Sequence, residues 1–496
     1  MTDSLTAEPY RSSAVSPVAP ATMLAGALRR REVSSRELLE MYLERVTRLN
    51  GDLNAVVTLD AERARAEAWA ADEAAARGEP LGPLHGLPIT IKDSIATAGL
   101  LTTCGVPELA EHVPARDAVA VARLRAAGAV VFGKTNTPPY ASDAQTSNTL
   151  FGRTGNPWDL TRSPGGSSGG PAAAVAAGLS GLELGSDLGG SIRMPAGYCG
   201  GYGLRPSYGI VPTSGHIPPG PHGRIGPDMA TLGPLARDAA DLGLALDVLA
   251  GPDPRQATAW RLALPPSRAG SLSEYRIGVW LDDPDCPVDG PVGDALAAAM
   301  DTLRAAGARL ETVSGPAGLT ESYRLFHQLV QPWLSAFLPD ERFAELCAVA
   351  QAGDSTDASH LQWARDVTAR GRDVAMARER RSGVAAKWAE YFRDHDALLC
   401  PVTPTTAIPH ADPTGERWLT VHGVRRDFWD QVIWVQALSL VNLPVAVVPV
   451  GRDAAGLPVG VQVVGPFLED RTVLDLAVRL GRVLEGYAVP PGYSGA

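Results

Sequence analysis

The chain has 496 residues, a hydrophobic fraction of 45% and a formal net charge of −11 at pH 7. That hydrophobic fraction supports a large globular core, and the acidic balance argues against nucleic acid or an anionic membrane as the main partner. The five cysteines are scattered without a CxxC pair, which indicates neither a disulfide framework nor a zinc site and fits a reducing compartment.

The N-terminal segment, residues 1–20, is rich in Ser, Ala and Pro and has neither the basic nor the apolar region of a signal peptide. We expect it to form a loose arm in front of one domain over residues 21–496. No stretch reaches the roughly 18 uninterrupted apolar residues of a membrane span. The sequence therefore predicts a cytoplasmic protein with no membrane partner.

The first predicted helix begins near Ser34, where Ser34 and Glu37 match an S-x-x-E capping box, and it ends at Asn50-Gly51. Ile89 to Ile91 reads as a short strand that delivers Lys92. Apolar periodicity and turn residues predict the other elements of this part of the chain: helices at 61–77, 117–127, 171–177, 238–249 and 291–306, strands at 129–132, 182–184, 275–280 and 309–313, and a turn at 185–190.

The pattern is helical over residues 319–393, and strands at 397–402, 444–450 and 459–464 precede a last helix at 471–484. Strands that alternate with helices indicate an α/β layered fold. With no repeats and no dividing linker, we expect a single large α/β/α domain with a central mixed β-sheet flanked by helices. Five aromatic residues of the helical region are predicted to lie in the core: Trp333, Phe337, Phe343, Trp363 and Trp388.

Lysine is rare in this chain, since Lys92, Lys134 and Lys387 are the three lysines among 44 Lys and Arg residues. A buried lysine can lose its proton, whereas arginine effectively cannot. The scarcity favours lysines at positions where arginine cannot serve, although chance survival explains any one of them equally well.

Two common motifs occur in contexts that disfavour them. Residues 128–135 match the P-loop pattern, but their middle is an apolar strand and Pro138-Pro139 blocks the helix that a P-loop needs. Residues 165–169 match G-x-S-x-G, the nucleophile elbow of α/β-hydrolases, but a loop precedes them instead of the required strand. Neither nucleotide binding nor a Ser-His-Asp hydrolase is therefore the favoured interpretation.

Two Gly/Ser-rich segments carry the chemistry. In residues 186–191, two glycines let backbone N–H groups converge in front of the Ser191 hydroxyl, which suits attack on a carbonyl and stabilisation of an oxyanion, although a plain tight turn would look the same. Residues 164–170 run directly into an Ala-rich helix, which favours a shaped loop over a flexible linker.

Together, these segments and their surroundings resemble the amidase signature family. The matching pieces are Gly86 to Ile89 with Lys92-Asp93, Gly133 to Asn136, Gly152 with Asn156-Pro157, Gly165 to Gly170, Gly185 to Arg193, Pro195-Ala196, Cys199-Gly200, Gly203 to Pro206, Leu232 to Arg237 and Gly456 to Gln462. The resemblance covers nearly the whole chain and is far more specific than any one motif.

The resemblance implies a Ser–cis-Ser–Lys triad. It makes Ser191 the nucleophile, Ser167 the serine that follows a cis peptide bond, and Lys92 the base. An oxyanion hole of backbone N–H groups is implied at Leu188, Gly189, Gly190 and Ser191. A serine needs a base to become a nucleophile, and lysine serves as one when burial lowers its pKa toward neutrality.

The favoured function is hydrolysis of small apolar or aryl amides through a seryl acyl-enzyme, with carbamates (urethanes) and esters as further substrates. We expect no cofactor and no metal, a small-molecule substrate as the partner, and a monomer or homodimer. Residues 140–151 and 319–393 are expected to shape the substrate pocket, with Tyr140 as a substrate contact. Trp429 and Trp434 fit either a pocket wall or, more commonly, the core.

Two alternative functions remain. One is the glutamine-using component of a tRNA amidotransferase, which is similar elsewhere but differs over residues 213–227, where this chain has His216 and His222. The other is a non-catalytic binding subunit; an intact triad argues against this second alternative.

Overall fold

Short apolar runs form most of the strands in the computed structural model, which describes residues 15–217, 226–353, 358–412 and 415–494. Eleven strands of these residues pair into one central sheet, and two small two-stranded sheets lie outside it. The strands are β1 (Val56–Leu59), β2 (Pro88–Lys92), β3 (Val130–Thr135), β4 (Ser147–Asn148), β5 (Gly152–Arg153), β6 (Glu183–Asp187), β7 (Tyr202–Arg205), β8 (Thr231–Ala236), β9 (Arg276–Val279), β10 (Arg309–Thr312), β11 (Ala397–Pro401), β12 (Trp418–Val421), β13 (Val424–Asp427), β14 (Val445–Arg452) and β15 (Pro458–Val464).

The central sheet has the order β1-β3-β2-β6-β8-β7-β14-β15-β11-β9-β10. Strand β2 is parallel to both of its neighbours, β3 and β6, whereas β6 pairs with β8 in the antiparallel direction. The predicted mixed sheet is thereby confirmed. Because β2 and β6 are adjacent and parallel, their carboxyl ends meet at the same edge of the sheet, where the candidate site lies.

Helices pack around this sheet and confirm the predicted α/β fold. Within the described residues they are α1 (Ala21–Arg30), α2 (Ser35–Leu53), α3 (Ala61–Ala76), α4 (Val119–Ala126), α5 (Gly169–Ala176), α6 (Arg193–Cys199), α7 (Ala239–Leu249), α8 (Gly290–Ala305), α9 (Leu319–Leu334), α10 (Asp340–Ala352), α11 (Ala358–Val367), α12 (Gly371–Asp394), α13 (Ile433–Leu440) and α14 (Asp470–Val483), with short 3-10 turns at Pro107–Leu109, Pro139–Ala141, Leu272–Glu274, Ser335–Phe337 and Phe428–Val432. No helix of the described ranges has both the length and the apolarity that crossing a bilayer requires.

Helix α2 begins as predicted but ends later than Asn50-Gly51. The capping box is present, with the Ser34 side chain accepting a hydrogen bond from the Glu37 backbone. The helix runs to Leu53 and stops at Asn54, whose φ is 51°. The reason is tertiary: the Asn50 side chain binds both backbone groups of Val56 and so ties the last helical turn to β1.

Strand β6 is longer than predicted, because its backbone pairs with β8. Gly185 and Asp187, placed in a turn by the sequence, lie opposite Gly233 and Thr231 in the ladder. The turn that follows is correspondingly shorter, and it starts at Leu188.

The helical region 319–393 is confirmed as helical, but its aromatic residues divide. Trp388 is buried, whereas Phe337 and Phe343 are 49% and 37% exposed, so their predicted core position is wrong. Phe337 ends the 3-10 turn after α9, and Phe343 lies on α10, whose main packing partner is another helix, α11. Trp333 and Trp363 are partly exposed.

The predicted loose arm is packed over its last residues. Val18 and Ala19 are buried, Tyr42 donates a hydrogen bond to the Pro17 carbonyl, and Arg237 donates to the Ala19 carbonyl. The prediction is therefore wrong for residues 15–20, and residues 1–14 lie outside the described part of the chain.

The capping box gives a simple test of local stability. Ser34→Ala removes the side-chain acceptor of the Glu37 amide, and we expect it to lower the free energy of unfolding by about 1 kcal/mol. Ser382→Ala, an exposed mid-helix serine, should change it by less than about 0.5 kcal/mol. Urea unfolding of both variants checks this; equal effects would show that the cap is not a stabilising contact.

Candidate active site

Lys92 lies at the carboxyl end of β2 and has no solvent exposure. Its Nζ atom is surrounded by three hydroxyls: it lies 2.6 Å from Ser167 Oγ, 3.0 Å from Ser168 Oγ and 2.9 Å from Ser186 Oγ. The structure thus brings together the predicted base and one predicted serine, which are distant in sequence, and adds two hydroxyls that the sequence did not single out.

The surroundings of Lys92 disfavour its charged form. Burial lowers the pKa of its ammonium group from 10.5 to about 7, and the acidic groups nearby, Cys104, Asp187 and Glu183, offset only part of this shift. Burial also raises the pKa of Glu183 to about 7, so this carboxyl is itself a weak counter-ion at neutral pH. A lysine in these surroundings can accept a proton near pH 7.

Residues 164–168 form a shaped loop, as the sequence predicted, whereas Gly169 and Gly170 of the same segment begin helix α5. The peptide bond between Gly166 and Ser167 is cis. A side chain at Gly166 would lie 2.5 Å from the Asp143 carbonyl oxygen, and one at Gly170 would lie 2.3 Å from the Asn136 nitrogen. The loop and the first turn of α5 therefore pack with their backbone directly against neighbouring backbone, which only glycine permits at these two positions.

Ser191 stands between the turn after β6 and helix α6, and it is partly exposed. Its carbonyl accepts a hydrogen bond from the Ser168 amide at 3.0 Å. This contact joins the loop of Ser167 to the segment of Ser191, so all three predicted triad residues belong to one connected site.

A buried ion pair holds the turn in front of Ser191. Asp187 and Arg193 are both fully buried, with their side chains 3.0 Å apart. Arg193 also donates to the Val435 carbonyl and to Gln462, which anchors the pair to α13 and β15. The Asp187 carboxylate in turn accepts from the Gly190 amide at 2.9 Å.

The Gly190 amide therefore donates to Asp187 in this structure and is not available to bind an oxyanion, unlike the role predicted for it with Leu188, Gly189 and Ser191. Burial by itself would raise the pKa of Asp187, but the charge and hydrogen bonds of Arg193, together with the charge of Arg205 and the Gly190 amide, hold it well below its usual value. Asp187 is thus ionised and shapes the turn from behind.

The wall beside the turn is formed by helices α9 and α13. A side chain at Gly189 would lie 3.0 Å from Gln436 Nε2 and 3.3 Å from Phe326 Cζ, and one at Gly190 would overlap Val435. Phe326 belongs to the region 319–393, so that region does reach the candidate site.

Trp434, for which the core was the favoured of two positions, does belong to the core. It is 1% exposed, packs edge-on against Trp280 at 4.8 Å and donates to the Cys286 carbonyl. Trp429 is partly exposed and Tyr140 is 40% exposed. The Tyr140 amide donates to the carbonyl of Cys104, at 3.0 Å, and Cys104 interacts electrostatically with Lys92. A contact between Tyr140 and a substrate stays a prediction.

The other two lysines have different surroundings. Lys134 is buried and bound to the Ile95 carbonyl and to Thr97 and Thr102, whereas Lys387 is exposed. Of the variable segment 213–227, His222 lies outside the described residues. Residues 15–217, 226–353, 358–412 and 415–494 contain no group of three or more His, Cys, Asp or Glu that could hold a metal ion.

Sequence reasoning missed Ser168, Ser186 and the Asp187–Arg193 pair. All four residues lie in segments that resemble the family, but the sequence did not indicate what their side chains contact. For the two residues of β6 the signal is the alternation of the strand, which turns Ser186 to the face that Lys92 occupies and Asp187 to the opposite face.

A sequence profile of the Amidase family matches residues 37–474. The chain belongs to the amidase signature family. One component of the glutamyl-tRNA(Gln) amidotransferase from Synechococcus sp. (strain CC9605) is 35% identical to it, over 93% of this chain and 95% of that protein. Among solved structures, an amidase has 30% identity and a TM-score of 0.76 over 94% of this chain and 100% of its own, and a bacterial aryl acylamidase has 26% identity and a TM-score of 0.78 over 94% and 97%.

The buried ion pair predicts a large stability effect. Arg193→Met leaves the Asp187 charge buried without its partner, and we expect a loss of about 3–5 kcal/mol in the free energy of unfolding. The matched control is Arg304→Met, which breaks an exposed pair with Asp301 and should cost less than about 1 kcal/mol. Denaturant titration compares the two; similar midpoints would contradict the role assigned to Arg193.

Proposed function

We propose that the chain hydrolyses small apolar or aryl amides through an acyl-enzyme on Ser191. The observation that carries the proposal is the buried Lys92 amine, 2.6 Å from Ser167 Oγ, in a loop that is bonded to Ser191. A serine becomes nucleophilic when a base takes its proton, and a lysine with a pKa of about 7 can serve as that base.

The hydroxyls around Lys92 indicate which of them can give its proton to the neutral amine. The lysine ammonium has three N–H donors and no acceptor. Loss of one proton leaves two N–H groups and one lone pair. The Ser168 hydroxyl donates to the Ser186 carbonyl at 3.2 Å, so its lone pair faces Lys92 and accepts one N–H; Ser186 Oγ accepts the other. The lone pair of Lys92 is then left for the Ser167 hydroxyl, whose own oxygen can accept the proton of Ser191.

The reaction follows from this arrangement. Ser191 Oγ attacks the carbonyl carbon while its proton passes through Ser167 to Lys92, and the amides of Leu188, Gly189 and Ser191 stabilise the oxyanion. The C–N bond then breaks and the departing amine takes the proton back through Ser167. Water enters by the same base-assisted path and releases the carboxylic acid.

The surroundings of the turn favour an uncharged acyl group. Val435 forms an apolar wall at Gly190, and Phe326 lies beside the uncharged Gln436 at Gly189. Asp143, whose carbonyl packs against Gly166, binds Arg417 with contacts of 2.8 and 2.7 Å and so neutralises its charge beside the loop of Ser167. The similarity to an aryl acylamidase points the same way. Carbamates present a similar carbonyl and are proposed as further substrates.

By sequence similarity alone, a second function is the stronger candidate. Relatives 35% and 36% identical over more than nine tenths of this chain are components of glutamyl-tRNA(Gln) amidotransferases. In that function the same Ser191 relay would release ammonia from glutamine, and the chain would act together with partner proteins. The relay does not distinguish the two functions, because both begin with attack on a carboxamide.

A substrate panel distinguishes the candidates. We expect release of 4-nitroaniline from 4-nitroacetanilide and its carbamate counterpart, and no ammonia from L-glutamine. Ammonia release from glutamine without anilide cleavage would replace the first proposal by the second. Ser191→Ala is the control for every substrate; it should lower turnover at least about 10³-fold and abolish labelling by a serine-reactive phosphonate.

The pKa of Lys92 predicts the pH profile. The base must be neutral, so kcat/KM for an uncharged anilide should rise tenfold per pH unit below about 7 and level off above it. Lys92→Arg keeps the charge but cannot release its proton, and we expect it to be inactive across the profile. Substantial turnover by Lys92→Ala with the wild-type pH dependence would require another base.

A further inference from the structure

A chain of side-chain hydrogen bonds lies behind the Gly189 turn, outside the lysine relay. Trp363 Nε1 donates to Gln331 Oε1 at 3.3 Å. Gln331 Nε2 lies 3.2 Å from His327 Nδ1, and His327 Nε2 lies 3.1 Å from Gln436 Oε1. Helices α11, α9 and α13 contribute these residues in turn, so the chain connects the variable helical region to the candidate active site.

The donor and acceptor atoms of these side chains allow only one order of donation along the series of hydrogen bonds. An indole N–H can only donate, so the Gln331 oxygen faces Trp363 and the Gln331 NH₂ group faces His327. His327 Nδ1 must then accept, which places the imidazole proton on Nε2 and directs it to the Gln436 oxygen. Burial lowers the pKa of His327 to about 4, so the ring is neutral at the pH of the reaction.

The last member of the chain presents a free donor to the site. With its oxygen bound by His327, Gln436 turns its NH₂ group toward Gly189, where Nε2 would lie 3.0 Å from an added Cβ. Gln436 is 6% exposed, and among the described residues no acceptor is found for its Nε2. This atom is not one of the fully buried polar atoms without a partner, so it keeps accessible surface and can donate to a substrate oxygen.

We propose that Gln436 is a specificity-determining residue whose amide N–H binds an oxygen of the substrate's acyl group. The proposal rests on the proposed acyl transfer at Ser191. The leaving nitrogen must face Ser167 to receive its proton, so the acyl substituent lies on the other side of the scissile carbonyl. Gln436 and Phe326 border the Gly189 turn beside which this carbonyl would bind. The preferred acyl groups carry an ether, hydroxyl or carbonyl oxygen close to the scissile carbonyl.

A matched substrate pair tests the proposal. N-(4-nitrophenyl)-2-methoxyacetamide and N-(4-nitrophenyl)butanamide differ by one oxygen in place of a methylene. The measurement is the ratio of their kcat/KM values, compared between wild type and variants, which cancels the difference in intrinsic reactivity. Gln436→Met keeps the length of the side chain but removes the donor, and we expect it to lower the ratio about five- to tenfold.

The control and the second variant separate recognition from packing. The control is Gln328→Met on α9, the helix of His327. The Gln328 side chain accepts from Arg380 and takes no part in the hydrogen-bonded series from Trp363 to Gln436, so the ratio should stay at the wild-type value. In His327→Phe the Gln436 amide loses its bond to the imidazole and can rotate, so the ratio should be lower than in wild type. In the double variant His327→Phe/Gln436→Met it should fall no further than in Gln436→Met.

An unchanged ratio in Gln436→Met would overturn the proposal, including a case in which both kcat/KM values fall equally. If wild type cleaves neither anilide, the proposed amide hydrolysis fails. The ratio is then read from the inactivation rates of Ser191 by methoxymethyl and propyl phosphonate esters, where the same loss in Gln436→Met supports the recognition role and an unchanged ratio overturns it.

Discussion

The burial of a single amine constrains the rest of this structure. Lys92 is held at the end of a central strand, among three hydroxyls and without a hydrogen-bonded carboxylate among the described residues. A charged ammonium would be poorly solvated there, so the neutral form is accessible near pH 7. The acid that could have held a proton on it, Asp187, is bound by Arg193 on the opposite face of β6.

The two glycine-rich segments contribute to the surroundings of Lys92 in different ways. Around Ser167, glycines let loop backbone lie against backbone, so that a hydroxyl can reach a lysine deep in the sheet. After β6, glycines let the turn lie against α13, while the Asp187–Arg193 pair fixes it from behind. The sheet thus supplies the base, and the close packing of the two loops supplies the geometry around it.

The chemistry and the choice of substrate come from different parts of the chain. The proposed relay is built from residues between Lys92 and Ser191, in segments that match the family. The wall beside the turn comes from α9 and α13, through Phe326 and Gln436. This division explains why family membership establishes the type of reaction while amide hydrolysis and glutamine-dependent amidotransfer still compete as proposals.

Local patterns in the sequence determined the strand that carries Lys92, most of the helices, the capping box at Ser34 and the family itself, because each depends on neighbouring residues or on a motif of fixed spacing. Tertiary structure alone decided the rest. The extension of β6 depends on pairing with β8, the packing of residues 15–20 depends on Tyr42 and Arg237, and the bond between His327 and Gln436 joins residues 109 positions apart. Such contacts form only when distant segments meet, and no local pattern encodes their partners.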